Sequence, residues 1–144
     1  MENVLFALEI EDGWPPVATE SIWCERRDGN YQLKSIPLFI RGLAVGDIVA
    51  ATPDKESRQI HDYDVLDVSG HSVIWMLNPV KLDIAEFISE LEALGCKVAT
   101  GLLGYNHYAI DVPPEVDIAA LDGMISVWDS VGLAFAYPAW RHED

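Results

Sequence analysis

At 144 residues, half of them hydrophobic and five of them tryptophan, the chain is long and apolar enough to bury a core, which excludes a disordered segment. Nine basic residues against 24 acidic ones give a formal charge of −15, a balance that disfavours phosphate backbones and anionic lipid surfaces as partners. The acidity is not a tail: six basic and 13 acidic residues lie in 1–70, and three and 11 in 71–144.

Met1 leads directly into Glu2-Asn3-Val4-Leu5-Phe6-Ala7-Leu8 with no basic n-region, and no run reaches the ~18 apolar residues of a membrane span. Cys24 and Cys96 lie far apart and outside any C-x-x-C pattern. A cytoplasmic protein with free thiols is the expectation.

In the first half, Val4–Ile10 reads as a strand ended by Asp12-Gly13 and Pro15-Pro16. Ser21–Arg27 and Tyr31–Ile36 flank Asp28-Gly29-Asn30, a hairpin signal in which Gly29 or Asn30 supplies a positive φ. Pro37 stops that strand, and Ile36–Leu43 is expected to cross the bottom of a small barrel. Gly46-Asp47 turns into a short strand, Ile48–Ala51, and 53–58 is a polar loop. Ile60–Val68 is expected as one further strand with Tyr63, Val65 and Leu66 packing inward.

From His71 the pattern changes. Ser72–Leu77 is apolar on both faces, as in a sheet covered on both sides. Leu82–Leu94 follows as a helix whose Ile84, Phe87, Ile88 and Leu91 form one stripe, with Gly95 as its stop. Strands Lys97–Leu103 and His107–Val112 come next. A second helix, Glu115–Val131, starts at Pro113-Pro114 and carries the stripe Ile118, Leu121, Ile125 and Trp128. Leu133–Trp140 is the last strand. The order β-α-β-β-α-β is that of the split βαβ, ferredoxin-like motif. The expected fold class is therefore α+β: a small N-terminal antiparallel β-sheet or barrel, residues 1–70, packed against a ferredoxin-like half, residues 71–144.

The chain has no phosphate loop, dinucleotide fingerprint, zincin helix or nucleophile elbow. In His61-Asp62-Tyr63-Asp64, strand alternation sends His61 and Tyr63 one way and the two aspartates the other, so no metal site is expected. No cofactor is implied. On His107–Val112, residues Tyr108, Ile110 and Val112 should face the helices, leaving His107, Ala109 and Asp111 on the opposite, open face. His71, His107 and Asp111 could form a ligand face there, although His107 and Asp111 sit roughly 13 Å apart along the strand. Both cysteines should pack as small hydrophobes. The tryptophans are mostly core candidates, with Trp14, beside two prolines, and Trp140, before Arg141-His142, the most exposed.

Glu20-x-x-Trp23, Asp28-Gly29-x-Tyr31-x-Leu33, Ile36-Pro37, Gly42-Leu43, Gly46-Asp47-x-Val49 and Ser69-Gly70-His71-Ser72 follow one another in an order that resembles the bacterial DUF4265-like proteins. Gly95-Cys96 and Asp111-Val112-Pro113 are similar to the second half of that family. The sequence departs from it after Ser72, where the run through Trp75 is bulkier, and in its acidic ending. The resemblance implies a small cytoplasmic bacterial protein and brings no activity or catalytic residues with it.

Strong acidity in both halves, ample aromatics and missing catalytic motifs favour a non-enzymatic module that binds a basic protein, such as an immunity-type inhibitor of a nuclease-like toxin. Its expected contact face is the acidic side of the first helix, Asp83, Glu86 and Glu90, with Trp14 and Trp140 as anchors. The alternatives are a small-molecule sensor or enzyme using the open sheet face, and a self-associating structural module, for which a homodimer is one form.

Overall fold

The computed structural model describes residues 1–101 and 106–142. It is a mixed α+β structure whose chain divides into two compact units, Met1–Ser69 and Gly70–Asp144.

The first unit is a six-stranded sheet of β1 (Glu2–Ala7), β2 (Thr19–Arg27), β3 (Asn30–Leu33), β4 (Ile48–Ala51), β5 (Gln59–Ile60) and β6 (Tyr63–Asp67), in the order β5-β1-β2-β3-β4-β6. All its pairs are antiparallel except β1 with β5. The β2–β3 hairpin closes where Arg27 faces Asn30. Its two turn residues, Asp28 and Gly29, have φ of 53° and 84°, the pair of positive angles that a twisted two-residue hairpin requires. Asn30, one of the two expected candidates, begins β3 instead.

Ile60–Val68 is not one strand. It breaks at His61-Asp62 into β5 and β6, which lie on opposite edges of the sheet. Edges of a flat six-stranded sheet would be roughly 24 Å apart, whereas the three Cα steps from Ile60 to Tyr63 reach at most ~11 Å. The sheet must therefore curl, as a half-barrel does. Its inner face carries Val4, Phe6, Ile22, Cys24, Tyr31, Leu33, Val49 and Ile60, with Ile40 and Leu43 from the crossing segment. Val65 faces Val49 across the β4–β6 pair yet is 42% exposed, because no strand lies beyond it. Leu66 is 56% exposed, so the inward packing expected of both residues is corrected.

Two acids sit inside this unit. Glu20 falls at an inward position of β2 and accepts the backbone N–H groups of Leu38 (2.6 Å) and Phe39 (2.9 Å), which holds the crossing segment. Asp47, fully buried, accepts from Ala44 N at 2.9 Å and Ser69 N at 3.0 Å.

The second unit runs β7 (Ser72–Leu77), α1 (Ala85–Ala93), β8 (Lys97–Thr100), β9 (His107–Val112), α2 (Ile118–Ser130) and β10 (Ala134–Ala139). Its sheet has the order β10-β7-β9-β8 with every pair antiparallel. The end of the expected strand Lys97–Leu103 lies outside the described residues. Both helices start later than expected. Asn78 bonds both backbone groups of Leu82 and keeps that segment out of α1, and Asp117 caps α2 by accepting from Ala120 N at 3.3 Å. The apolar stripes meet one sheet face: Phe87, Leu91, Leu121 and Ile125 pack with Ile74, Met76, Ile110 and Val112, and Trp128 stacks on Phe87 at 5.1 Å.

Candidate functional site

The opposite face of the four-stranded sheet carries Val73, Trp75, His107, Ala109 and Asp111, as strand alternation requires. It is not open. All five residues are at most 7% exposed. Of the expected ligand face, His71 and Asp111 come together: His71 Nδ1 lies 2.8 Å from Asp111 Oδ1. His107 does not join them, because it pairs with Leu77 at the other end of β9 while Asp111 pairs with Val73. It lies edge-on to Trp75 instead, ring centres 6.1 Å apart.

Burial raises the Asp111 carboxyl above its ordinary range, against the opposing effects of the His71 hydrogen bond and Lys97. Burial also lowers the basicity of His107. Only the His71 edge of the pair meets solvent, its side chain 25% exposed against 4% for Asp111. The nearby Cys96 thiol is pushed up to about 11 by burial and by Asp111, and Cys24 to about 11 by burial and Glu2. Both are buried and free, and neither is a thiolate near neutral pH.

A serine–histidine pair, missed in the sequence, lies beside this dyad. His142 Nε2 is 2.8 Å from the Pro113 carbonyl and must donate to it. In the neutral imidazole, Nδ1 then accepts from the Ser72 hydroxyl at 2.6 Å, while Ser72 Oγ accepts the Arg141 N–H at 2.7 Å. Arg141 also donates a guanidinium N–H to the His71 carbonyl at 2.8 Å. The donor set copies that of an activated hydroxyl, but Ser72 has no exposed surface and no substrate reaches it. The arrangement ties the segment after β10 to β7. Nothing in the spacing of Ser72 and His142, 70 residues apart, signals it.

The expected contact residues are dispersed. Asp83 precedes α1, where its carboxylate accepts from Ala85 N at 3.1 Å. Asp83 and Glu86 are exposed and Glu90 is half-buried. Trp14 is 36% exposed and edge-on to Phe39 at 5.8 Å. Trp140 is half-buried against the helix-covered core, with Tyr137 and His142 each 5.3 Å away. That packing removes it as a protruding anchor. The most exposed tryptophan is Trp23, at 49%, on the outer face of β2. The alternation Glu20-Ser21-Ile22-Trp23-Cys24 contained the signal, because Ile22 and Cys24 facing inward force Trp23 outward.

A groove of about 540 Å³ opens at the β5–β6 corner, lined by Ala51, Thr52, Tyr63 and the carboxylates of Asp54, Asp62 and Asp64. Backbone N–H groups of Ser57 and Glu56 hold the Asp54 carboxyl below its ordinary range. Among the described residues, no three His, Cys, Asp or Glu side chains converge in a way that could hold a metal ion. No helix among them is long and apolar enough to cross a membrane.

The family described as Domain of unknown function (DUF4265) matches residues 20–133. The chain belongs to the DUF4265 family. The fold agrees with that of a crystal structure of a hypothetical protein from Neisseria gonorrhoeae, at 19% sequence identity with 99% of each chain covered and a TM-score of 0.78. No curated protein matches the chain. In this DUF4265 protein the matched span runs from Glu20, which holds the crossing segment, to Leu133, the residue before β10.

Proposed function

We propose that this DUF4265 protein is a non-enzymatic module that binds a basic protein, in the manner of an immunity-type inhibitor of a nuclease-like toxin. The observation that carries the reading is the excess of acid left on the outside. Of the 22 acidic residues among those described, only Glu20, Asp47 and Asp111 are buried, so the 19 other carboxylates still outnumber all nine basic residues by more than two to one. Such a surface steers a basic partner and speeds encounter. Trp23 and Trp14 are the exposed tryptophans that would give the complex its lifetime. The Ser72–His142 and His71–Asp111 pairs weigh against an enzyme, since the hydroxyl and the carboxylate are both inside.

The order β-α-β-β-α-β with its first strand between the third and fourth supports reading the second unit as ferredoxin-like. Two buried thiols fit a reducing, cytoplasmic setting.

The test is affinity capture from a lysate of the native host, washed at low and then high salt, followed by titration of the purified captured protein. The reading requires one basic protein held stoichiometrically, with an affinity that falls steeply as salt rises. Capture of acidic or neutral proteins only, or binding indifferent to salt, would refute it.

A further inference from the structure

Strand β6 ends the six-stranded sheet and is left open. It pairs with β4 alone, and among the described residues no other backbone hydrogen bond reaches residues 61–68. Asp64, Val65, Leu66 and Asp67 are all exposed. Val65, Leu66 and Val68 turn 42%, 56% and 55% of their surface to solvent. A bare apolar edge of this kind invites another strand.

The acids on this edge are aligned. Asp64 faces Ala50 and Asp67 faces Ile48, while Val65 faces Val49, so Leu66 is an extra residue in the ladder. Side chains alternate along a strand, and Ala50 and Ile48 share a face. The bulge at Leu66 therefore returns Asp67 to the face of Asp64, where simple alternation would have separated them. Asp62 and Asp54 continue the acidic side into the neighbouring groove. No Lys or Arg occurs from Gln59 to Val80.

We propose that β6 is the docking edge for an extended basic segment of the partner protein, which adds to the sheet as a further strand. Backbone hydrogen bonds hold it, as in strand addition generally. Its Lys or Arg side chains lie on Asp64 and Asp67, and its apolar side chains on Val65, Leu66 and Val68. Charge selects this occupant over a second copy of the chain, whose own Asp64 and Asp67 would meet like charges across the new pair. The proposal deepens the binding-module reading and rests on it.

The experiment titrates the full-length, isotope-labelled protein with a synthetic peptide of alternating Lys and Val. Amide shift changes and new exchange protection confined to Tyr63–Val68 are expected. D64K/D67K should lose about tenfold or more in affinity and gain binding of the matching Glu/Val peptide. D122K/D129K makes the same change in net charge at two exposed positions of α2 and should stay within about twofold of wild type. Shift changes scattered over the surface, equal losses in the two variants, or peptide-free dimers formed through β6 would overturn the assignment. If a captured basic partner binds wild type and D64K/D67K alike, the module still binds basic proteins and only the β6 edge falls. If neither the peptide nor any basic protein binds wild type, both fall.

Discussion

Glu20 puts a carboxylate at a core position, and its removal should be costly for a definable reason. The side chain is 7% exposed and accepts two backbone N–H groups, Leu38 at 2.6 Å and Phe39 at 2.9 Å. In Glu20→Ala both donors, on half-buried residues, lose that acceptor. A stranded buried donor costs about 1–3 kcal/mol, so the pair sets an upper bound of about 2–6 kcal/mol, reduced by the solvent these half-buried groups still reach and by relief of the desolvation that raises the Glu20 pKa. A net loss of about 2–4 kcal/mol is expected, a large part of a typical domain's stability of roughly 5–15 kcal/mol. Glu20→Gln keeps one acceptor oxygen and should lose about half as much. Urea unfolding followed by tryptophan fluorescence measures both. The raised pKa adds a signature: stability from a protonated Glu20 is present at low pH and is lost as pH rises through the folded-state pKa. Wild type should therefore lose stability relative to Glu20→Gln across that interval. A Glu20→Ala variant within about 0.5 kcal/mol of wild type would show that the crossing segment does not depend on this acceptor.

His107 should make the protein sensitive to mild acid. Its folded pKa is lowered by burial, so below about 6.5 the unfolded chain takes up a proton that the folded one does not, and stability falls by up to ~1.4 kcal/mol per pH unit. His107→Gln should flatten that slope in denaturation midpoints measured between pH 7.5 and 5.5. Phe87→Ala removes a fully buried ring stacked on Trp128 and should cost about 3–5 kcal/mol by the same assay. Gly46→Ala meets a φ of +89° and a Ser69 Cβ only 2.9 Å from the new methyl, and a loss of about 1–3 kcal/mol in chemical denaturation is expected. Trp23→Ala should change stability by less than about 0.5 kcal/mol while weakening partner capture, whereas Trp140→Ala should do the reverse; binding isotherms beside melting curves separate the two.

Much of the architecture was written locally. Phe87 and Leu91, or Leu121 and Ile125, lie on one side of a helix at that spacing whatever the helix touches. Ile74, Met76, Ile110 and Val112 likewise share a sheet face through alternation alone. The family, too, was legible, from an ordered series of short motifs spread along the chain.

Long-range pairing decided what local pattern could not. Ile60–Val68 reads as one strand, but Ile60 pairs beside Leu5 and Phe6 while Tyr63 pairs with Ala51; only the curl of the sheet makes a two-residue break there possible. Val65 has the periodicity of a core residue and remains exposed because β6 is an edge, a property of strand order and not of sequence spacing. Trp140 and Trp23 exchange expected roles for a related reason: flanking charges suggested exposure for one, but neighbours distant in the chain cover it. Ser72 and His142 meet, and His71 reaches Asp111, through β7 lying between β9 and β10. The sequence by itself therefore determined which residues share a helix face or a strand face, because those periodicities are properties of the backbone. Which of those faces are covered, which strands become edges and which polar groups converge was decided only by tertiary structure, because each depends on partners tens of residues away.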